Sequence, residues 1–243
     1  MIRFYAPDIE STPFLPESDS QHCCRVLRMQ SGNEIELVDG RGGLYRCRIA
    51  TAHSKRTELE IIERVDLPAV WPMNITVAVA PTKHLDRMEW LVEKLVEIGV
   101  NRIVPVRCAR SERKEIKIDR LEKIAVSAMK QSLKAVLPEI SEMLPLKDFV
   151  ATLGDRNAMK FVAYCDDAVE RRLLAREYRP GKSAVVLIGP EGDFSPEEVD
   201  MVMKSGFTAV TLGDNRLRTE TAALVACDTF HIVTQALTPT EHN

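Results

Sequence analysis

A chain of 243 residues, 45% hydrophobic and 28% charged, holds enough apolar material for one large domain or for two smaller ones. A formal net charge of -3 excludes a uniformly basic nucleic-acid binder, so any contact with a polyanion must come from local patches. No apolar run approaches the ~18 residues that span a bilayer, and no basic segment precedes an apolar stretch at the start of the chain. The expectation is a cytoplasmic protein without membrane attachment. The six cysteines, Cys23, Cys24, Cys47, Cys108, Cys165 and Cys227, form neither a CxxC pair nor a Cys/His cluster. They read as reduced thiols, with no metal site.

The first seventy residues are read as a small β-rich domain, 1–70. Short alternating runs, IRFYA, NEIELVDG, GLYRCRIATA and TELEIIERV, are separated by Gly, Asp and Ser turns. Only SDSQHCCRVLRMQSG invites a helix. Between Gly40 and Thr57 stand Arg41, Arg46, Arg48, Lys55 and Arg56 with no acid among them, a first candidate basic patch. His22, beside apolar residues, reads as structural. LPAVWP, with two prolines, reads as a linker.

From there to residue 238 the pattern changes to strands alternating with helices. NITVAVAP is an apolar run of the kind buried on both faces of a sheet. HLDRMEWLVEKLVEIG places Met88, Leu91, Val92, Leu95 and Val96 on one helical face and stops at Gly99. RIVPV reads as the next strand, and from its start a second basic cluster, Arg102, Arg107, Arg110, Arg113 and Lys114, is interrupted only by Glu112. Asp119 with Glu122 reads as a capping box for DRLEKIAVSAMKQSL. MKFVAYC and AVVLIG are strands, Ser195 to Glu198 caps the helix PEEVDMVMKSG, and TAVTLG is the last strand. The final helix, TETAALVACDTFHIVTQ, is apolar nearly all round and reads as buried. Such alternation predicts an α/β domain, 73–238, with a mostly parallel sheet and helices on both faces.

Two strand exits carry chemistry. In IGPEGDFSPEE, Gly189 and Gly192 permit close backbone approach and Pro190 stiffens the turn. Neither GxxxxGK[ST] nor a full GxGxxG fits, so the P-loop and dinucleotide readings lose their main support and a dehydrogenase is left a distant third. The second exit, LGDNRLRTETA, crowds Arg216, Arg218, Thr219, Glu220 and Thr221 at the start of a buried helix, where polar groups need partners. Helix capping and a ligand loop both account for it.

LIGPEGDFSPEEV followed by SGFTAVTLGDNRLRTETAA resembles the C-terminal signature of the bacterial 16S ribosomal RNA uridine-N3 methyltransferases, a branch of the SPOUT superfamily. Upstream, KHLDRMEWLVEKLVEIGVNRIVPVRCARSER and MKQSLKAVLPEI resemble the same family. MIRFY and HCCRVLRMQSGNEIELVDG resemble its PUA-like RNA-binding module, so the likeness runs from residue 1 to about 235. It implies a deep trefoil knot in the C-terminal domain and S-adenosylmethionine as cofactor. The loops implied to hold that cofactor contribute Ala163, Tyr164 and Cys165; Ile188, Gly189, Pro190, Glu191 and Gly192; and Leu212, Gly213, Leu217, Arg218, Thr219 and Thr221.

For the reaction, Arg218 is expected to stabilise charge on the uracil, with Glu220 as base or as the group that orients the arginine. RNA contacts are expected from Arg3, Arg25, Arg28, Arg110, Arg113 and Lys134. The implied partners are 16S rRNA, in the 30S subunit, and a second copy of the chain that completes the site. The chain departs from the family pattern at Asp193, where a glycine is common, at Lys134, where arginine is common, and at Asn215-Arg216-Leu217. Methylation of another RNA atom, and a non-catalytic ribosome-assembly role, are the competing readings.

Overall fold

The computed structural model describes residues 3–67, 71, 73–153, 157–165 and 170–237. The chain separates into two compact units, Met1–Val70 with Ala125–Leu137, and Trp71–Ile124 with Pro138–Asn243. Of the expected linker, residues 68–70 and 72 lie outside the described residues, as does residue 238 at the expected domain end.

In the first unit the strands are β1 (Arg3–Tyr5), β2 (Glu34–Val38), β3 (Gly43–Thr51) and β4 (Glu58–Asp66), in the order β1-β2-β3-β4. Among these four strands β1–β2 is parallel, and β2–β3 and β3–β4 are antiparallel. Helix α1 (Glu17–Gln21) runs into a π-helical turn, His22–Val26. Alternation sorts the strands into faces: Ile35, Leu37, Tyr45, Cys47, Ile49 and Leu59 turn inward onto Phe4 and Cys23. The other face carries the arginines of the first basic run, and the antiparallel register brings acids to them. Arg46 reaches Glu34 at 3.4 Å and Glu63 at 3.1 Å, and Arg48 reaches Glu60 at 3.4 Å. Arg46 and Arg48 of the basic run therefore stand in a charge ladder whose acids come from neighbouring strands, while Arg41 donates to Pro7 O and Arg56 lies over the Phe14 ring.

Segment 125–137, expected in the α/β domain, packs with the first unit. Gly42 N–H donates to Ala135 O at 3.0 Å, Leu137 N–H to Gly40 O at 2.9 Å, and Lys130 pairs with Asp19 at 3.0 Å. Its sequence could not show this, since the contacts join residues about 90 to 110 positions apart.

The second unit holds, in chain order, β5 (Ile75–Val79), α2 (Leu85–Ile98), β6 (Arg102–Arg107), α3 (Ile118–Gln131, whose second half belongs to the first unit), β7 (Glu139–Ile140), β8 (Leu144–Pro145), α4 (Leu146–Thr152), β9 (Met159–Ala163), β10 (Arg172–Leu173), α5 (Leu174–Glu177), β11 (Ala184–Ile188), α6 (Pro196–Lys204), β12 (Thr208–Thr211) and α7 (Thr219–Leu237). All of its strand pairings are parallel, in the order β10-β12-β9-β11-β5-β6-β7 with β8 also beside β6. Central β11 is buried at all five positions, as an apolar run covered on both faces must be. Val185 and Leu187 join Phe149 of α4 and Val199 and Val202 of α6 in one core. On the opposite face α7 packs on β5, β11 and α2, with the Phe230 ring 5.9 Å from Phe161 and 4.8 Å from Tyr178.

The expected face of α2 is buried, and Gly99 ends that helix at φ 123, where only glycine sits without strain. The Ser195–Glu198 capping box is present in full. The one expected at Asp119 is not, because α3 begins at Ile118 and places Asp119 inside the first turn, where it suits the helix dipole. Nor is α7 buried all round: Ile232 and Leu237 are 54% and 66% exposed.

Strand β12 lies on the far side of β9 from β11, yet α7, next in sequence, packs on β11 and β5. The chain returns past the turn that follows β11, and Thr219 bonds to that turn as it goes. This return is the knotted path of a SPOUT-type sheet.

Candidate active site

Three adjacent parallel strands end at one level. Ile188 of β11 stands opposite Ala163 of β9, and Val210 of β12 is also in register with Ala163. Ligands of open α/β sheets bind beyond the carboxyl ends of the strands, where helix N-termini and loop N–H groups are free. Here the three exits enclose a cavity of about 1090 Å³. It is lined by Ala163, Tyr164 and Cys165 from the first exit, and by Ile188, Gly189, Pro190, Glu191 and Asp193 from the second. The stretch from Val210 through Thr219 forms the third wall, with Ala222, Arg87 and Arg171 completing it.

The local sequence explains the shape. Gly189 is buried against the Phe194 ring, and a Cβ there would come within 2.9 Å of it. The missing side chain therefore lets Phe194 pack beneath the turn, whose backbone lines the cavity. Thr211 Oγ1 donates to Gly213 O at 2.8 Å and folds the third loop at its start. Thr219 Oγ1 donates to Gly189 O at 3.1 Å, joining the third loop to the second. Ala222 N–H donates to Arg218 O at 2.8 Å, which makes Arg218 the last residue before α7 and leaves its exposed guanidinium at the cavity. Arg171 Nη1 donates to Tyr164 O at 3.1 Å and supports the first loop.

Of the residues expected to hold a cofactor, Ala163, Tyr164, Ile188, Gly189, Pro190, Glu191, Leu212, Gly213, Leu217, Arg218 and Thr219 line this one cavity. Gly192 and Thr221 do not, and neither does Glu220. Buried at 7% exposure, Glu220 pairs with Arg87 Nη1 at 3.6 Å.

The residues expected to touch RNA are differently placed. Arg113 donates to the carbonyls of Thr82 and Lys83, at 3.2 and 2.6 Å, and Arg110 to that of Gly192 at 3.0 Å. In the first unit Arg3 pairs with Glu36 at 3.3 Å and donates to Leu133 O. Arg25 and Arg28 are exposed and have no ion pair among the described residues, and Lys134 is half-buried. His22, read as structural, is exposed, with its ring 6.4 Å from that of Phe4.

Sequence reasoning missed Arg87, Arg171 and Asp193 as lining residues, whereas Asp214, Asn215 and Arg216 lie in the candidate ligand loop it had marked. Arg87 follows β5, and only sheet order shows that β5 lies beside β11, with Ala80 N–H bonded to Ile188 O at 3.0 Å.

Sheet and site together define an α/β enzyme of the SPOUT methyltransferase class, with cofactor loops at three neighbouring strand ends. Residues 69–231 match the RNA methyltransferase domain family model, and residues 15–62 match the RNA methyltransferase PUA domain. The chain belongs to this RNA methyltransferase family. It is 30% identical over 216 residues to ribosomal RNA small subunit methyltransferase E of Aquifex aeolicus, covering 86% of this chain and 90% of that one. The crystal structure of a probable rRNA-methyltransferase from Porphyromonas gingivalis superposes with a TM-score of 0.92 at 45% identity, covering 98% of this chain and 100% of that one. Ribosomal RNA small subunit methyltransferase E from Neisseria gonorrhoeae, bound to S-adenosyl methionine, superposes with a TM-score of 0.84 at 30% identity, covering 96% and 98%.

Proposed function

We propose that this protein methylates N3 of a uridine in the decoding region of 16S rRNA, using S-adenosylmethionine, in the cytoplasm and as a homodimer acting on the 30S subunit. The observation that carries the reading is the one cavity lined both by the Gly189 to Glu191 turn and by Arg218. A pocket for a small molecule has a volume of roughly 300–1000 Å³, so about 1090 Å³ has room for a nucleoside cofactor and a target base together. Its residues fit the cofactor: Ile188, Leu212 and Leu217 offer apolar wall, and the Gly189 to Glu191 backbone offers a surface for the adenosine.

When bound, the cofactor supplies an electrophilic methyl group on a sulfonium. The protein must then make N3 of the uracil a nucleophile. N3 carries a proton at neutral pH, and the negative charge left by its loss spreads onto the two flanking carbonyl oxygens. Arg218, exposed at the cavity, faces that charge, and a cation held there stabilises the transition state. The N3–H bond breaks with its proton passing to solvent. The N3 lone pair forms the new N–C bond as the S–C bond breaks, and a neutral thioether leaves. Glu220 lies off the lining and acts through Arg87, which its carboxylate holds at the cavity edge. It is a positioning residue in this scheme rather than the base. RNA phosphates are met by Arg25 and Arg28, the cations left unpaired on the π-helical turn and its exit.

The test is mass spectrometry of nucleosides from 16S rRNA of a strain lacking the gene. Loss of 3-methyluridine, restored by the gene in trans, supports the reading. Loss of a ribose methyl or another base methyl instead assigns a different target atom. An unchanged nucleoside profile would leave the non-catalytic assembly role.

A further inference from the structure

We infer that Asp193 and Arg110 are positioning residues of the cofactor pocket, clamping the 189–193 turn from two sides, and that Arg110 acts on this turn and not on RNA. The inference rests on the reading of that turn as a cofactor wall. Asp193 has φ 58, in the left-handed region that residues bearing a Cβ avoid and that Asn and Asp tolerate best. Its carboxylate holds the conformation: Oδ1 accepts from Phe194 N–H at 2.8 Å, and Oδ2 accepts from Cys165 N–H at 3.2 Å. One side chain thus ties the exit of β9 to the exit of β11, while Asp193 N–H donates to Pro190 O at 2.9 Å and closes the turn. The left-handed step also carries the Phe194 ring beneath Gly189.

Arg110 grips the other side. Its Nη1 donates to Gly192 O at 3.0 Å, and its Cβ lies 3.3 Å from where a Cβ on Gly192 would stand. Gly192 is therefore bare towards Arg110 and not towards the cavity. A turn already held in its bound shape needs little ordering when the cofactor arrives, so the clamp acts on affinity and not on the chemical step.

Calorimetry with S-adenosylmethionine and binding of a 16S rRNA transcript at several salt concentrations test this directly. D193A and R110A are expected to weaken cofactor binding about tenfold or more, as loss of charge-assisted hydrogen bonds does, with kcat at saturating cofactor unchanged. D193N, which tolerates the left-handed region but keeps one acceptor oxygen of two, is expected to recover only part of the affinity. D193G relieves the backbone, melts at the wild-type temperature and still binds the cofactor loosely. The salt dependence of RNA binding is expected to be unchanged in R110A. A slope lower by about 0.7–0.9, the loss of one phosphate contact, with cofactor affinity intact would overturn the assignment of Arg110. Wild-type cofactor affinity in D193A and D193G would overturn the clamp. Wild-type protein that binds no S-adenosylmethionine overturns the proposed function and this inference with it.

Discussion

Arg218 illustrates how much one residue's meaning depends on its place. Its backbone carbonyl starts the hydrogen bonding of α7, while its side chain is exposed at the cavity rather than spent on a cap. Replacing it with alanine is expected to lower methylation by about 10²–10³, the cost of one preorganised charge stabiliser, with cofactor binding by calorimetry unchanged. R218K should recover only part of the loss, because an ammonium lacks the planar fork.

The thiols make a second residue-scale case. Burial pushes the Cys23 and Cys47 thiols up to about 11, and burial together with the Glu198 charge pushes Cys108 up to about 12, from 9.0. Burial raises Cys227 too. Below pH 9 these groups are protonated in both folded and unfolded chains, and the stability they contribute is complete. Above it the unfolded chain loses protons that the folded chain keeps, so stability falls as pH rises towards the folded values. Urea midpoints measured from about pH 8 to about pH 10.5 should decline, and more gently once the buried cysteines are replaced. Exposed Cys165 should react at once with a thiol reagent in the native protein, and buried Cys23, Cys47, Cys108 and Cys227 only after unfolding.

Among the elements, α7 contributes to both stability and site. It packs on β5, β11 and α2, and its Phe230 is fully buried against Phe161 and Tyr178. F230A is expected to cost about 3–5 kcal/mol in chemical denaturation, the range for emptying an aromatic core site. Long periodic elements such as α2, β5, β11 and α6 were legible in sequence because burial writes itself into apolar spacing. Two-residue strands such as β7 and β10 were not, because so short a segment carries no period and is held by its neighbours. The same limit hid the true start of α3: Asp119 and Glu122 have the spacing of a capping box, but the chain enters the helix one residue before Asp119. Within the basic run from Arg41 to Arg56, the glutamates that pair with Arg46 and Arg48 are likewise supplied across the sheet, out of reach of local pattern.

For the whole molecule, the exposed apolar residues of the second unit bear on the proposed dimer. Trp90 on α2 and Ile232 on α7 are 42% and 54% exposed, on two helices that pack together. Water-facing side chains of this size at neighbouring elements suit burial against a second copy. I232E is expected to convert the dimer to monomer in sedimentation velocity experiments, with each monomer still folded by circular dichroism.

Local information in the chain determined the class of structure: a β-rich segment, then alternating strands and helices, with two polar strand exits whose resemblance to a methyltransferase family implied the activity. Apolar periodicity and capping residues act over a few positions, and so can be read in order. What only the tertiary structure decided is which distant segments meet. Sheet order set β5 beside β11 and so brought Arg87 to the cavity. The same return of the chain put Glu220 against Arg87, and strand-end register put Asp193 within reach of Cys165. Gly192, expected to face a cofactor, faces Arg110. Such contacts join residues 28 to 133 positions apart, and no local pattern encodes them.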